Sequence, residues 1–261
     1  ALLVSSLFAV DKVLGLIRDA LISRAFGASA ELDAYYAAFE VPDALFNIVA
    51  GLAMATALIP VLSAHAQRHD RESVSQLASA VINWALIVVA VASGLAAVFA
   101  PDIIRFVAPG FDGMRVALAT RLMRLVLLQT VVSSISGITM SVLHAHQHFL
   151  LPAAAPLAYT LGRIIGAVWL APQLGVVGLA LGGLVGTIGH FLVQVPGLIH
   201  YGIKWRPVLY HPESPAVLRL MVPRMLGHAI TYVNFVLPTY FGSRLAAGAI
   251  AMIPVKEHTE H

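Results

Sequence analysis

Cysteine is absent from all 261 residues. That excludes disulfides, thiolate metal sites and cysteine nucleophiles, and it leaves the compartment open. Charge is the second scarcity. Asp, Glu, Lys and Arg make up 11% of the chain, against about 25% in a soluble domain. Charge is missing altogether from Ser73 to Pro101, from Leu125 to Gly162 and from Ile164 to Ile203. With 59% hydrophobic residues, such runs exclude a water-soluble globule and identify an integral membrane protein. A spanning helix takes about 20 apolar residues, so the two longer runs must each hold a turn or an over-long tilted helix. The runs are continuous and do not alternate, which selects helices over a barrel. The net charge of +3 reads as loop Lys and Arg facing anionic lipid, with no nucleic-acid partner.

Catalytic signatures are also lacking. No nucleophile with its base, phosphate-cradling loop or dinucleotide fingerprint is legible, so the chain reads as a non-enzyme. His144 and His148 stand four apart, a spacing that suits a metal on one helical face. They lie at a helix end with no carboxylate nearby, so interfacial, solvated rings are expected and no metal site. His190 and His228 fall deeper in their helices and suit interhelical hydrogen bonds.

Apolar runs and breakers predict seven helices: about 2–26, 33–63, 74–100, 115–145, 152–172, 174–201 and 216–250. Pro42, Gly51 and Pro60 kink or break the second, Pro101 stops the third, and 101–114 form an interfacial loop around Pro109-Gly110. The domain organisation expected is a six-helix lobe over 1–203, a polar linker over 204–215, a seventh helix over 216–252 and a polar tail over 253–261. In the sixth helix Gly178, Gly182 and Gly186 recur every four residues, and Gly175, Gly182 and Gly189 every seven. In lipid such glycines let two backbones approach closely, so a packing face is expected. Arg68, Arg71, Lys204, Arg206 and Arg219 on one side lean towards a cytoplasmic N-terminus.

The first helix is unusual for what it does contain. Residues 7–26, LFAVDKVLGLIRDALISRAF, are membrane-length yet carry Asp11, Lys12, Arg18, Asp19 and Arg24. At about 100° per residue, Asp11, Lys12, Gly15, Arg18 and Asp19 share roughly a third of the circumference. Each charge costs about 2.5–3.5 kcal/mol at a bilayer centre, so the stripe must face a wet cavity or protein. A surface-lying amphipathic helix or a charge-neutral packing seam would satisfy the same pattern. Lys12, Arg18 and Arg24 can serve one cavity with Asp33 at the start of the second helix, Arg121 and Arg124 lying at its rim. Guanidinium groups bind phosphate through paired planar hydrogen bonds, which points to an anionic, phosphorylated, membrane-associated substrate. Pairing of Arg18 with Asp11 or Asp19, and snorkelling of Arg24, remain open beside that reading.

VLGLIRDALISRAFGASAELDAYYAAFEVPDAL, from Val13 to Leu45, resembles the N-terminal signature of the MurJ, or MviN-type, lipid II flippases. ALIPVLS (Ala57 to Ser63), APGF (Ala108 to Phe111) and FLLPAAAP (Phe149 to Pro156) follow in the family's order. The resemblance implies the superfamily of multidrug, oligosaccharidyl-lipid and polysaccharide exporters, whose members pair two six-helix lobes in a V. It also implies movement of the undecaprenyl-pyrophosphate peptidoglycan precursor, lipid II, across the bacterial cytoplasmic membrane by alternating access. Arg18, Arg24 and Asp33 match family positions, and Lys12 stands where the family has arginine. Phe46-Asn47 replace the family's Arg-Arg pair, Asp43 replaces an asparagine, and Gly51 replaces an acidic residue. These departures leave room for export of another polyprenyl-linked glycan. The reading is an all-α polytopic membrane protein, a six-helix transporter lobe plus a seventh helix. Its partners would be a polyprenyl-pyrophosphate substrate, the bilayer, and a missing C-terminal lobe or a second copy. No cofactor is expected, and the membrane potential or a monovalent ion is left as the drive. A non-transporting scaffold that docks through its glycine face is the alternative of a different class.

Overall fold

The structure is a computed structural model, and it describes residues 2–49, 52–67, 71–215, 219 and 236–252. These residues fold as helices: α1 (Leu2–Phe26), α2 (Ala30–Val49), α3 (Leu52–Gln67), α4 (Arg71–Val98), α5 (Ala100–Val107) and α6 (Gly113–Ala145). There follow α7 (Leu150–Ile165), a π-helical turn (Gly166–Leu170), α8 (Ala171–Leu174) and α9 (Val176–His200). Residues 236–242 are helical, and a short helix Ala249–Met252 comes after them. Four stretches are long and apolar enough to cross a membrane: Glu72–Val98, Gly113–Ala145, Leu150–Leu174 and Val176–His200. α1 and α2 are long enough, but five charges in α1 and Glu31, Asp33, Glu40 and Asp43 in α2 set them apart.

α6 is the central post, packed by α2, α3, α4 and α9. Its sequence divides into three levels. Val116, Ala119, Leu122, Met123 and Leu127 join one apolar core with Ile22, Leu32, Tyr35, Ile104 and Leu179. Ile138, Val142 and Ala145 join a second core with Leu58, Leu62, Leu77 and Val81. Between them Gln129, Thr130, Ser134 and Ser136 are all buried. Thr130 and Ser134 return their hydroxyls to the carbonyls four residues back, at 3.1 and 2.8 Å, so burial leaves them satisfied. Two apolar cores thus bracket a polar layer at mid-depth. Outward, Val91, Leu95 and Val98 of α4 and Val185, Ile188 and Leu192 of α9 are exposed. Facing lipid, such apolar surface carries no penalty; facing water it would aggregate.

The glycine face is built as expected. α9 lies along α7, and a methyl group on Gly166 would stand 2.8 Å from the Gly182 Cα and 2.9 Å from the Gly178 carbonyl oxygen. Gly186 meets Tyr159 and Gly162 in the same way. Gly175 is different: its φ of +59° makes the turn between α8 and α9, a left-handed conformation that glycine adopts without strain.

Three boundaries differ from the sequence reading. Pro101 does not end a helix in a loop. It sits in the first turn of α5, where its missing N–H costs nothing, and the expected 101–114 loop shrinks to 108–112. The 33–63 helix is two, α2 and α3, with Gly51 outside the described residues. The seventh helix lies mostly outside them, as do His228, Arg68 and the 253–261 tail, and the chain leaves helical geometry over 243–248 before Ala249–Met252. The polar linker runs as an extended strap along α4. Asn83 Nδ2 donates to the Arg206 and Val208 carbonyls at 2.9 and 2.7 Å. Arg206 N donates to Ser79 at 2.9 Å, and Trp205 Nε1 to Asn83 Oδ1 at 2.9 Å. Ser75, Ser79 and Asn83, four apart on one face of α4, satisfy backbone that would otherwise be left unpaired.

Candidate functional site

α1 packs on α7, and its buried residues are Gly15 and Ile22. Asp11 and Arg18, which fall on the same side, are partly buried, while Val10, Val13, Leu16 and Ile17 are exposed on the opposite side. Two of the five charges, Asp11 and Arg18, are thus turned toward the bundle with Gly15 and Ile22, and apolar residues fill the opposite side. Asp11 accepts a hydrogen bond from Thr160 of α7 at 2.8 Å. Arg18 donates its Nε to Asp19 at 2.8 Å; the arginine side chain is 11% exposed, the aspartate 50%. Lys12 is exposed beside this face, and Arg24 is exposed in the last turn of α1.

Sequence reasoning missed a charge on the neighbouring helix. Arg163 of α7 donates to the Tyr35 hydroxyl of α2 at 3.3 Å, and its guanidinium lies 5.7 Å from the Tyr159 ring. Its Nε is buried with no hydrogen-bond partner, and no carboxylate stands within ion-pair distance of it among the described residues. Gln129 of α6 fixes Tyr159 from the far side, Nε2 to hydroxyl, at 3.2 Å. Arg163 and Arg18 both act electrostatically on Tyr36 and Tyr159, and Asp43 lies within range of Arg163. A partly buried guanidinium so thinly partnered carries a desolvation cost that a paired one would not. The signal was present: Arg163 is the single Asp, Glu, Lys or Arg between Leu125 and Ile203. An isolated charge at bilayer depth marks function by default.

Other candidates are placed elsewhere. Asp33 is 2% exposed, and its carboxylate accepts the Gly248 N–H at 2.6 Å and the Ala251 N–H at 2.8 Å. A helix begins with N–H groups that lack partners, and Asp33 supplies acceptors to Ala249–Met252 from across the fold. Both of its oxygens accept backbone N–H groups, so it ties α2 to the segment around residues 248–251. Glu40, two turns further along the same face of α2, accepts the Thr239 hydroxyl. Arg121 and Arg124 do not rim the α1 site. Arg121 is exposed on α6, and Arg124 donates its Nε to the Ala97 carbonyl of α4 at 3.0 Å. Arg124 faces α4 and α5, whereas α1 is packed against α7.

The α2 departures also have an observed geometry. Asn47 Nδ2 donates to the Asp43 carbonyl at 2.9 Å, a bond within its own helix, and Phe46 is partly buried. Neither brings a cation to the cluster. His190 shares a 2.6 Å hydrogen bond with Ser136 across α9 and α6, as its depth suggested. His144 and His148 are less solvated than expected: His144 packs on Phe149 and His148 on Tyr201, with ring centroids 5.5 and 6.0 Å apart. Among the described residues no group of three His, Asp or Glu stands where it would hold a metal ion. What the α1–α2–α7 cluster can do is hold charge: two guanidinium groups act on Tyr36 and Tyr159, and Arg163 also bonds Tyr35.

A sequence model described as "Lipid II flippase MurJ" matches residues 22–255. The lipid II flippase MurJ of Burkholderia cenocepacia is 34% identical over 265 residues, which take in 97% of this chain and 51% of that protein. A probable lipid II flippase MurJ of Synechocystis is 28% identical over 267 residues, 93% of this chain and 48% of the relative. A solved lipid II flippase MurJ in an inward closed conformation superposes with a TM-score of 0.80 at 25% identity, over 96% of this chain and 52% of that one. A transporter of the MOP superfamily from Pyrococcus furiosus, at 16% identity and a TM-score of 0.71 over 92% of this chain and 54% of that one, shares the fold. The chain spans about half the length of the curated relatives it matches.

Proposed function

From the premise that the chain belongs to the lipid II flippase MurJ family, we propose that it is the N-terminal lobe of a flippase. The cargo is the undecaprenyl-pyrophosphate precursor of peptidoglycan, carried across the bacterial cytoplasmic membrane. The membrane character rests on four apolar spans and a lipid-facing exterior. The observation that carries the reading is the placement of Arg18, partly buried on α1 and acting on the same tyrosines as the thinly partnered Arg163 of α7.

A pyrophosphate presents several acceptor oxygens and at least two negative charges. Guanidinium groups match it in geometry, and a site screened from water strengthens each contact. Arg163 supplies charge that no carboxylate answers among the described residues, and Arg18, held by the half-exposed Asp19, can trade that partner for a phosphate oxygen. Lys12 and Arg24, both exposed, supply capture at the surface of the lobe. The polyprenyl tail needs no site of its own, because it stays in the bilayer while the head group crosses. Alternating access then requires a second wall, which a C-terminal lobe or another copy of the chain would provide. No covalent step enters, and the membrane potential or a monovalent ion would supply the drive.

The test is lipid II translocation in a two-lobe protein that contains this chain. Arg18→Gln and Arg24→Gln should each abolish transport while expression and membrane insertion stay intact. Transport at the unaltered rate in both variants would remove the basis of the proposal. A second reading, export of another polyprenyl-linked glycan, is favoured by Phe46 and Asn47, which bring no cation to α2. Stronger retention of a different polyprenyl pyrophosphate in competition with lipid II would select it.

A further inference from the structure

An opening lies away from the α1–α2–α7 cluster, between the end of α4, α5 and the first turns of α6. It is a cavity of about 610 Å³ whose lining includes Arg105, Phe111, Val116, Ala117, Thr120 and Arg124. The charges around it do not cancel. Arg105 approaches Asp102 at 3.4 Å, but both side chains are mostly exposed, at 68% and 72%, so water screens the pair. Arg115 is engaged by Asp112 at 3.5 Å and lies over the Phe111 ring at 5.1 Å. Asp112 also caps the start of α6, accepting the Arg115 N–H at 2.8 Å, so the helix end adds no attraction for an anion. Arg124 has no carboxylate within ion-pair distance among the described residues. Its Nε is fixed by the Ala97 carbonyl, which leaves its terminal nitrogens for a ligand.

Thr120 is the second mark of a site. It is 7% exposed, and its hydroxyl is buried without a partner. The other buried hydroxyls of α6 are all used. Thr130, Ser134, Thr139 and Ser141 bond the carbonyl four residues back, and Ser136 bonds His190. On α6 Thr120, which lines the cavity, is the buried hydroxyl left over; Ser93 and Ser214, elsewhere in the fold, are also unpartnered. The surroundings are those of a lipid contact. Phe106, next to Arg105, is 73% exposed, and Met114 at the start of α6 is 84% exposed, while the inner wall of the cavity is Val116, Ala117 and Phe111.

We propose that this cavity binds the phosphate of an anionic phospholipid. Arg124 holds the phosphate from the wall of α6, Arg105 closes over it from α5, and Thr120 turns its hydroxyl to the remaining oxygen. The acyl chains run outward over Phe106 and Met114. An anionic head group is preferred to a zwitterionic one, because the two guanidiniums would repel a choline cation. The site is independent of the flippase reading and needs no second lobe.

The experiment is native mass spectrometry of the 261-residue chain, stripped of lipid in detergent and titrated with phosphatidylglycerol, phosphatidylcholine or inorganic phosphate. Phosphatidylglycerol should be retained over phosphatidylcholine. Arg124→Gln and Arg105→Gln should each weaken it roughly tenfold or more, and Thr120→Val by less. Arg105 is exposed enough that its variant folds even if Arg124→Gln does not. Arg206→Gln, on the strap, should change nothing. Equal retention of the two lipids, unaltered binding in Arg105→Gln, or an equal loss in Arg206→Gln would overturn the site. Displacement of phosphatidylglycerol by inorganic phosphate at matched concentration would assign it to a soluble anion and overturn the lipid assignment.

Discussion

Replacing Asp33 by alanine separates a structural tie from a substrate ligand. The carboxylate accepts two backbone N–H groups, from Gly248 at 2.6 Å and from Ala251 at 2.8 Å. A hydrogen bond to an ionised acceptor contributes about 1.5–3 kcal/mol, and a buried N–H left without a partner costs about 1–3 kcal/mol. Relief of the buried carboxylate's desolvation offsets part of this. The net expectation is about 2–4 kcal/mol lost locally, with roughly half of that for Asp33→Asn, which keeps one acceptor oxygen. Because the bonds join α2 to residues more than 200 positions away, the loss should be confined to the end of the chain. Hydrogen exchange read by mass spectrometry on a peptide covering 246–252 is the direct assay. Exchange there should quicken roughly thirtyfold or more in Asp33→Ala, while peptides of α6 and α9 stay protected. Unchanged protection over 246–252 would refute the assignment of Asp33 as a helix cap. Weakened polyprenyl-pyrophosphate binding with that protection intact would return it to the cavity.

Two other outcomes follow from packing and charge. Gly182→Val pushes a branched side chain into the backbone of Gly162 and Gly166, so the α7–α9 pair must separate and the melting temperature in detergent should fall sharply; Leu192→Val on the exposed face is the silent control. Arg163→Met removes a thinly partnered buried charge, so thermal stability should hold or rise while retention of a polyprenyl pyrophosphate falls; a large drop in melting temperature would mean that Arg163 is structural.

How much of this was legible depended on how local each cause is. The bounds of α1 follow from the period of its own residues and the structure keeps them, but of the charged stripe it turns only Asp11 and Arg18 inward and leaves Lys12 and Asp19 exposed. The glycine face on α9 follows from spacing alone, except at Gly175, whose role is a turn and not a contact. The α5 helix was misread because a proline after an apolar run signals a stop and a start equally well, and only the next turn decides. Asp33 was misplaced because its partners lie at the other end of the chain. Arg124 shares a helix with nothing that points to Ala97 or α5, so only the packing of α4 reveals which opening it serves. Arg163 was overlooked for a different reason. Attention went to clusters of charge, whereas at bilayer depth one solitary charge is the stronger sign.

The central claim is that the inward cationic face of this lobe recognises phosphate charge, not lipid in general. Binding of undecaprenyl pyrophosphate, undecaprenyl phosphate and undecaprenol to a purified two-lobe protein containing this chain tests it most directly. Affinity should fall in that order, and Arg18→Gln should flatten the series by lowering the pyrophosphate affinity towards that of the alcohol. Equal affinity for all three, or a series that Arg18→Gln leaves intact, would contradict the account.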